Sequence, residues 1–514
     1  LATACWATVA PLLAKRRRDS RLFTSGTRAL YATGLLVAFA CILLLVALYS
    51  RDFSIGYVAN YSSRSTSAVY TFTALWAGME GSLLFWTLMT CAYGGSAIAL
   101  QRRSRADLVP VATSVLSGSV VFFLAMLAFA ANPFAPSNPI PIDGGGLNPL
   151  LQSPFMAIHP VLLYLGFTGF VVPFAFASAA LLEGRLDVRW FTSTRRWTVL
   201  AWGFLTVGIV LGAAWAYHEL GWGGYWAWDP VENASLLPWL TGTAFLHSVM
   251  IQERRGMLKV WNVALILSTY TLAIFGTFLT RSGLLSSVHT FSESPVGKFF
   301  LPFLAVLVVG AFGLLGYRSD RLKSRRRLDS VLSREAMFLF NNLLFTAIAF
   351  TVLWGTLYPI LIEATRGTEI SVGAPYFNAV VIPIGLALLA LTGIGPLVAW
   401  RKASAQNLRR QFTVPALGGG AAILALAASG IRSSAALLAF GLSAFVAVAT
   451  IGEFVSGASA HRRVEGVGWI RALKRVVGRN RRRYGGYIVH LGVVLIFIGL
   501  AGAAFKQTWS GNLE

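Results

Sequence analysis

Charge is scarce in this chain, and acidic charge is scarcest. Only 12% of its 514 residues are charged, about half the share in a soluble domain, and 20 acidic residues stand against 43 basic ones. Apolar residues make up 56% of the chain. This balance excludes a soluble enzyme and a disordered chain. Because the basic excess accompanies long apolar runs, it predicts a membrane protein with basic cytoplasmic loops and no nucleic-acid partner.

Cysteine is also rare. The three cysteines, Cys5, Cys41 and Cys91, lie far apart, in or beside apolar runs. Without a Cys-x-x-Cys pair the sequence has no zinc knuckle, no thioredoxin motif and no attachment site for a c-type haem. It also lacks a Gly-x-x-x-x-Gly-Lys-Ser/Thr motif, so nothing indicates an ATP-driven step. We interpret the cysteines as small apolar core residues.

Long apolar segments, in contrast, are abundant. A helix needs about 20 apolar residues to cross a bilayer core, and about 14 segments approach this length. We therefore predict an all-α fold, a polytopic transmembrane helical bundle. The first segment is too short to cross alone and the chain opens with Leu1, so we expect the protein to extend beyond both ends of this sequence. The predicted spans are 1–14, 29–49, 82–100, 109–131, 160–182, 197–216, 235–251, 260–280, 299–316, 337–362, 376–400, 413–429, 433–452 and 485–505.

The basic residues orient these spans. With residues 15–28 placed in the cytoplasm and the loops alternating, the inner loops hold 36 of the 43 Lys and Arg residues and the outer segments hold 7. This asymmetry follows the positive-inside rule and supports the segmentation. The inner loops are short basic connectors that face membrane lipid, whereas the outer loops are longer and rich in aromatic residues and glycine. We expect function to face outward, into a periplasm.

The outer loop 217–239 combines tryptophan with glycine. Trp222, Trp226 and Trp228 fall within seven residues, among three glycines and just before Asp229. An interfacial aromatic belt is one interpretation. Glycines, however, let the backbone approach a flat partner closely, and indoles offer broad apolar faces. We favour a platform for a large planar ligand such as a porphyrin.

Two histidines lie inside predicted spans at a similar depth. His247 is six residues before Glu253 and His490 is seven after Arg483, which places both about 10 Å above the cytoplasmic boundary. An intramembrane histidine is costly and indicates function. The pair can ligate one haem iron axially. Two separately hydrogen-bonded core histidines, or a proton relay, are the alternatives.

Two more histidines flank the tryptophan-rich loop on the outer side. His159 precedes one span and His289 follows another. A second bis-histidine iron site against the tryptophans is the economical interpretation. His218 adjoins the loop and is either a ligand or a hydrogen-bond donor. Arg281, one of the few outer cations, is a candidate partner for haem propionates.

The run from Trp222 to Trp239 resembles the WWD signature of the haem-handling proteins of cytochrome c maturation. Within that family, the length and number of spans are similar to the large haem-lyase subunit of the bacterial system I pathway. Tyr225 departs from the pattern, which often has another Trp there, but keeps an aromatic face.

Three other stretches extend the resemblance over nearly the whole chain. Residues 75–83 resemble the family's first outer loop, residues 279–283 with His289 resemble the segment of its second outer histidine, and residues 485–490 resemble its late intramembrane histidine. The family's last periplasmic domain and final span are expected to lie outside this sequence.

The resemblance implies an enzyme, a haem lyase that acts within a complex in the bacterial inner membrane. Its active site would face the periplasm and would form thioethers between haem and the CxxCH motif of apocytochrome c. The haem chaperone CcmE would deliver the haem, and CcmH, with CcmG as a further candidate, would present the reduced apocytochrome. Quinol is a candidate electron source. A haem transporter and a non-catalytic assembly hub are the alternatives.

The resemblance also implies roles for the histidines. His247 and His490 would hold a stable b-type haem within the membrane, a candidate reductant, and His159 and His289 would ligate the transient haem. The implied catalytic residues are His159, His289, Trp222, Trp226, Trp228 and Asp229, and the implied cofactor-binding residues are His247, His490, His159, His289, Trp222, Tyr225, Trp226, Trp228 and Arg281.

The motifs suggest three regions. Residues 1–158 form N-terminal helices and the first outer loops, residues 159–298 form the haem-handling core, and residues 299–514 form the C-terminal helices that carry His490.

Overall fold

The fold is entirely helical in the part of the chain that the computed structural model describes, residues 1–102, 107–220, 224–282, 296–324, 328–398 and 405–505. Within these residues the β-type pairing is one isolated bridge between Ile55 and Pro136. The predicted all-α class is therefore confirmed. Contacts divide the chain into two compact units: Leu1–Arg326 with Ala349–Ala374, and Arg327–Ile348 with Pro375–Glu514. The division into three regions by motif stays a prediction.

The first unit holds the helices that build the candidate site. Short 3-10 turns at Ala74–Trp76 and Pro149–Leu151 precede two of them. The helices are α1 (Ala2–Arg17), α2 (Ser20–Ser50), α3 (Gly56–Tyr61), α4 (Ala68–Thr73), α5 (Met79–Gln101), α6 (Val109–Phe129), α7 (Pro154–Gly169), α8 (Val171–Glu183), α9 (Arg189–Glu219), α10 (Pro230–Arg255), α11 (Lys259–Leu279) and α12 (Gly297–Leu322).

Helix α13 (Arg334–Arg366) begins in the second unit, and its residues from Ala349 onward belong to the first. The other helices of the second unit are α14 (Ala374–Leu397), α15 (Ala405–Ala428), α16 (Ser434–Glu465), α17 (Trp469–Arg479) and α18 (Arg481–Ala501), followed by a 3-10 turn at Gly502–Phe505.

Thirteen helices of the described chain, with α7 and α8 counted as one, are long and apolar enough to cross a membrane. Each predicted span from 29–49 onward overlaps one of them. The first predicted span, 1–14, is the 16-residue helix α1, which is not among these thirteen. Its alanines, Ala4, Ala7 and Ala10, are buried because small residues let helix backbones approach closely.

Charges gather at one end of the first unit, which we call the basic end. Lys15 pairs with Glu183, and Arg195 pairs with Glu253. The opposite end, where α5 and α10 begin and α9 and α11 finish, is called the tryptophan end.

Helices α7 and α9 pack backbone to backbone over most of their shared length. A Cβ on Gly166 would overlap the backbone of Leu205, and one on Gly208 would crowd Leu163. The glycines therefore leave no side chain between the two facing helices, as in other tightly packed membrane helices. His159 lies one turn before Leu163 on α7, so this contact sets its position relative to α9.

Candidate functional site

A cavity of about 180 Å³ opens at the tryptophan end of the first unit. Its walls come from the first two turns of α5 and α10, from most of α7 and from the end of α11, and they are mostly apolar and aromatic. Two predicted site residues, His159 and Arg281, line this cavity together. Among the described residues of the tryptophan-rich loop, Tyr225, Trp226 and Trp228 are not in its wall.

The imidazole of His159 has a defined tautomer. Its Nδ1 lies 2.7 Å from the carbonyl oxygen of Gly208 on α9. Because a carbonyl oxygen accepts only, Nδ1 carries a proton, and in the neutral ring Nε2 then carries the lone pair, which is the arrangement of a metal-binding histidine. The ring also packs on Gly212, where a Cβ would overlap it. Packing and hydrogen bonding therefore fix the orientation of this side chain.

Tyr57 organises the wall of the cavity at the start of α5. Its buried hydroxyl donates to the carbonyl oxygen of Ala74 at 2.7 Å and accepts from the backbone N–H of Gly78 at 3.0 Å. Burial raises the pKa of Tyr57 well above its usual range, so the hydroxyl stays protonated and keeps both roles. At Gly81 a Cβ would overlap this hydroxyl and the Leu75 carbonyl.

Arg281 lies two residues after the end of α11 and is 7% exposed. Its guanidinium donates to Ser82 Oγ at 2.9 Å and to Thr280 Oγ1 at 3.1 Å. These acceptors are neutral hydroxyls, so the contacts hold the side chain without compensating its charge.

The tryptophan-rich loop is anchored by acids of the first turn of α10. Asp229 is the N-cap residue, and its carboxylate accepts from the N–H of Val231 at 2.8 Å, with Pro230 at the first helical position. The Glu232 carboxylate reaches back and accepts from the N–H groups of Ala227 and Asp229 at 2.9 and 3.1 Å. This capping box fixes the loop backbone just before the helix.

Trp228 has a left-handed backbone, with φ of 62°. Such a conformation is strained for a bulky residue and persists only where the surroundings enforce it. Asn233, which is buried, enforces it by donating to the Trp228 carbonyl oxygen at 3.1 Å and to Thr356 Oγ1 at 3.1 Å. The ring of Trp228 meets Trp226 edge-on at 5.8 Å.

His247 lies within α10, nearer the basic end. Its Nδ1 is 2.8 Å from the carbonyl oxygen of Thr243, so Nδ1 carries the proton and Nε2 the lone pair, as in His159. The Thr243 hydroxyl accepts from the indole N–H of Trp202 on α9 at 2.8 Å. His247 therefore lies one turn beyond a hydrogen bond that joins α9 and α10.

The remaining predicted ligands are not brought together by the described structure. Trp222 and His289 lie outside the described residues, and His490 belongs to α18 in the second unit. His218 is exposed and stacks on Phe155 at 5.3 Å. The roles assigned to these residues stay predictions.

The comparisons with known proteins agree on one family. The family model described as cytochrome C assembly protein matches residues 76–285, which include the tryptophan-rich loop and every residue that lines the cavity except Thr73. The chain is 40% identical over 510 residues to the cytochrome c-type biogenesis protein CycK of Rhizobium meliloti, a match that covers 99% of this chain and 75% of that protein. It is also 40% identical over 495 residues to CcmF of Pseudomonas aeruginosa, covering 95% of this chain and 74% of that one. The chain belongs to the CcmF family of cytochrome c-type biogenesis proteins.

The fold agrees with the CcmF family as well. A solved structure titled Cytochrome c Heme Lyase CcmF superposes with a TM-score of 0.78 and 35% identity, over 98% of this chain and 75% of that chain. The resemblance found in the sequence is therefore confirmed, as are the function in cytochrome c biogenesis and the membrane location.

Proposed function

We propose that this CcmF-family chain is a periplasm-facing haem lyase, which receives haem from CcmE and promotes its thioether attachment to the CxxCH motif of apocytochrome c. The observation that carries the proposal is His159, whose lone-pair nitrogen is set by Gly208 and whose ring lines an apolar, aromatic cavity. Family membership supplies the reaction class.

The cavity residues fit haem as the substrate. A porphyrin needs flat apolar walls, its iron needs an imidazole nitrogen, and its propionates need cationic donors. The wall supplies Trp86 and Phe167, which stack at 5.9 Å, together with His159 and Arg281.

Attachment is an addition of each cysteine thiol across a haem vinyl group. The sulfur bonds to one vinyl carbon, the thiol hydrogen goes to the other, and no electron is gained or lost overall. The protein contributes position: it holds the vinyl against the thiol and keeps water away. His159 and His289 would hold the haem through its iron until the histidine of the CxxCH motif replaces one of them.

We assign His247, with His490, to a resident b-type haem that can supply an electron to keep the substrate iron ferrous. The support is the position of His247 within α10 and the Thr243 carbonyl that directs its Nε2 lone pair. Quinol is the candidate donor. CcmH, with CcmG, would present the reduced apocytochrome at the inner membrane of a bacterium.

Absorption spectra of the purified chain, with and without dithionite, test both sites. His247→Ala should remove the reduced low-spin b-type bands. His159→Ala should abolish cytochrome c maturation in cells while those bands persist. His461→Ala is the matched control, because His461 contacts Glu465 and is not among the proposed haem ligands. Normal maturation in His159→Ala cells rejects the lyase site, and unchanged b-type bands in His247→Ala reject the resident haem.

A further inference from the structure

The N-terminus of α5 forms part of the cavity wall and lacks a side-chain cap. Its N-cap residue is Gly78, which makes no side-chain hydrogen bond, and both Gly78 and Met79 line the cavity. The first turn of a helix presents backbone N–H groups with no partner inside the helix. In a 23-residue helix they also carry the positive end of the macrodipole.

The guanidinium of Arg281 is attached to this same turn. It donates to Ser82 Oγ, and that hydroxyl in turn donates to the Met79 carbonyl oxygen at 2.8 Å. The Nε of Arg281 is buried and has no hydrogen-bond partner in the described part of the chain. No ion pair to Arg281 occurs there either.

A second buried donor in the cavity wall is also unsatisfied. Trp76 is 7% exposed, and its indole N–H has no acceptor among the described residues. The ring is held by stacking on Phe85 at 5.4 Å. A buried donor that lacks an acceptor costs about 1–3 kcal/mol, and such groups are normally satisfied by a ligand or by water.

Positive charge is therefore concentrated at one place in the cavity wall, where the described residues make no ion pair to Arg281. A buried guanidinium and a helix N-terminus repel each other and are poorly solvated in an apolar cavity. Glu80, in the first turn of α5, is partly exposed and is not in the cavity wall. An anion from outside the chain resolves the imbalance, because helix N-termini and arginine both bind carboxylates well.

We propose that Arg281, Ser82 and the first turn of α5 form a carboxylate site, and that its ligand is a propionate group of the haem bound at His159. This inference rests on the proposed function. Arg281 and the α5 N–H groups donate to the carboxylate oxygens, while Ser82 holds the guanidinium against the helix. The iron is bound at one wall of the cavity and the propionate at another, which fixes the porphyrin within its plane.

Comparing the binding of haem with that of haem dimethyl ester distinguishes the carboxylate site from the iron site. The ester keeps the iron, but its propionates are esterified and carry no charge. Each is titrated into the purified full-length chain and followed by difference absorption, which subtracts haem already present. Haem should bind at least about tenfold more tightly than the ester, because charged hydrogen bonds contribute that much or more. Arg281→Gln should bind both alike, Ser82→Ala should lose part of the preference, and Arg281→Lys should restore some of it.

Arg366→Gln is the matched control, since this arginine is exposed and lies outside the cavity. It should keep the full preference for haem. Equal binding of haem and ester by the unmodified chain overturns the carboxylate site and leaves haem binding at His159 standing. Failure of the chain to bind either compound overturns the proposed function as well. Circular dichroism of each variant identifies a folding defect, in which case the comparison rests on Ser82→Ala and Arg281→Lys.

Discussion

Trp202 and Trp239 form a reciprocal pair across α9 and α10. Their rings stack at 6.1 Å, and each indole N–H donates to a threonine on the other helix. Trp202 bonds Thr243, and Trp239 bonds Thr206, both at 2.8 Å. On each helix the tryptophan comes four residues, or about one turn, before the threonine. Because the two helices run antiparallel, each tryptophan lies opposite the threonine of the other helix. His247 follows one turn after this pair.

Removing one of these indole donors should destabilise the packing of α9 against α10. Trp202→Phe keeps an aromatic ring and loses the bond to Thr243, for an expected cost of about 0.5–1.5 kcal/mol. Thermal unfolding in detergent measures the change. Trp354→Phe is the control, because Trp354 is 46% exposed and stacks on Phe350. Equal effects of the two substitutions would contradict a stabilising role for the hydrogen bond between Trp202 and Thr243.

A methyl group on Gly212 should act as a substitution of His159. The new Cβ would overlap the imidazole, so Gly212→Ala should displace the ring and lower haem binding and cytochrome c maturation toward the level of His159→Ala. Gly203→Ala, on the same helix with open space around it, should change neither. Full maturation in Gly212→Ala cells would show that the ring position does not matter.

The carboxylate of Glu232 should stabilise the tryptophan-rich loop. Glu232→Ala leaves the N–H groups of Ala227 and Asp229 without their acceptor, at a cost of about 1–2 kcal/mol. Unfolding and tryptophan fluorescence of the purified chain report the change. Glu363→Ala removes an exposed carboxylate and serves as the control. Stability and fluorescence that match the control would argue against the capping role.

An outer-loop carboxylate should make stability depend on pH. The N–H of Arg64 bonds Asp143 at 2.9 Å and holds the pKa of that carboxyl below its usual range. A depressed pKa in the folded state contributes stability above the unfolded pKa, about 3.9, and loses it as the pH falls through the folded pKa. Unfolding from pH 6 down to pH 3 should show the gap between the unmodified chain and Asp143→Asn closing. A gap that stays constant would contradict the linkage.

The sequence predicted the helices well because a bilayer requires long apolar segments, and this constraint is visible residue by residue. Two of its candidate site residues, His159 and Arg281, line one cavity, and their roles stay predictions. The capping role of Glu232 was missed, although Asp229 and Glu232 have the spacing of a capping box.

Other features of the site could not be read from the sequence. The left-handed backbone of Trp228 depends on Asn233, and the shape of the α5 turn depends on Tyr57, about twenty residues earlier. Both are products of tertiary contact, which no local pattern encodes. The roles of Trp222, His289 and His490 stay predictions.

The glycine contacts between α7 and α9 restrict which parts of the proposed site can move during haem transfer. Because the two backbones touch directly, the position of the His159 ring is set by the packed helices α7 and α9 and not by the neighbouring loops. If the proposed function holds, partner proteins could rearrange those loops during haem delivery and release while the His159 nitrogen stays in place. Ligand exchange at the haem iron would then require motion of the haem and its carrier proteins, and not of helices α7 and α9.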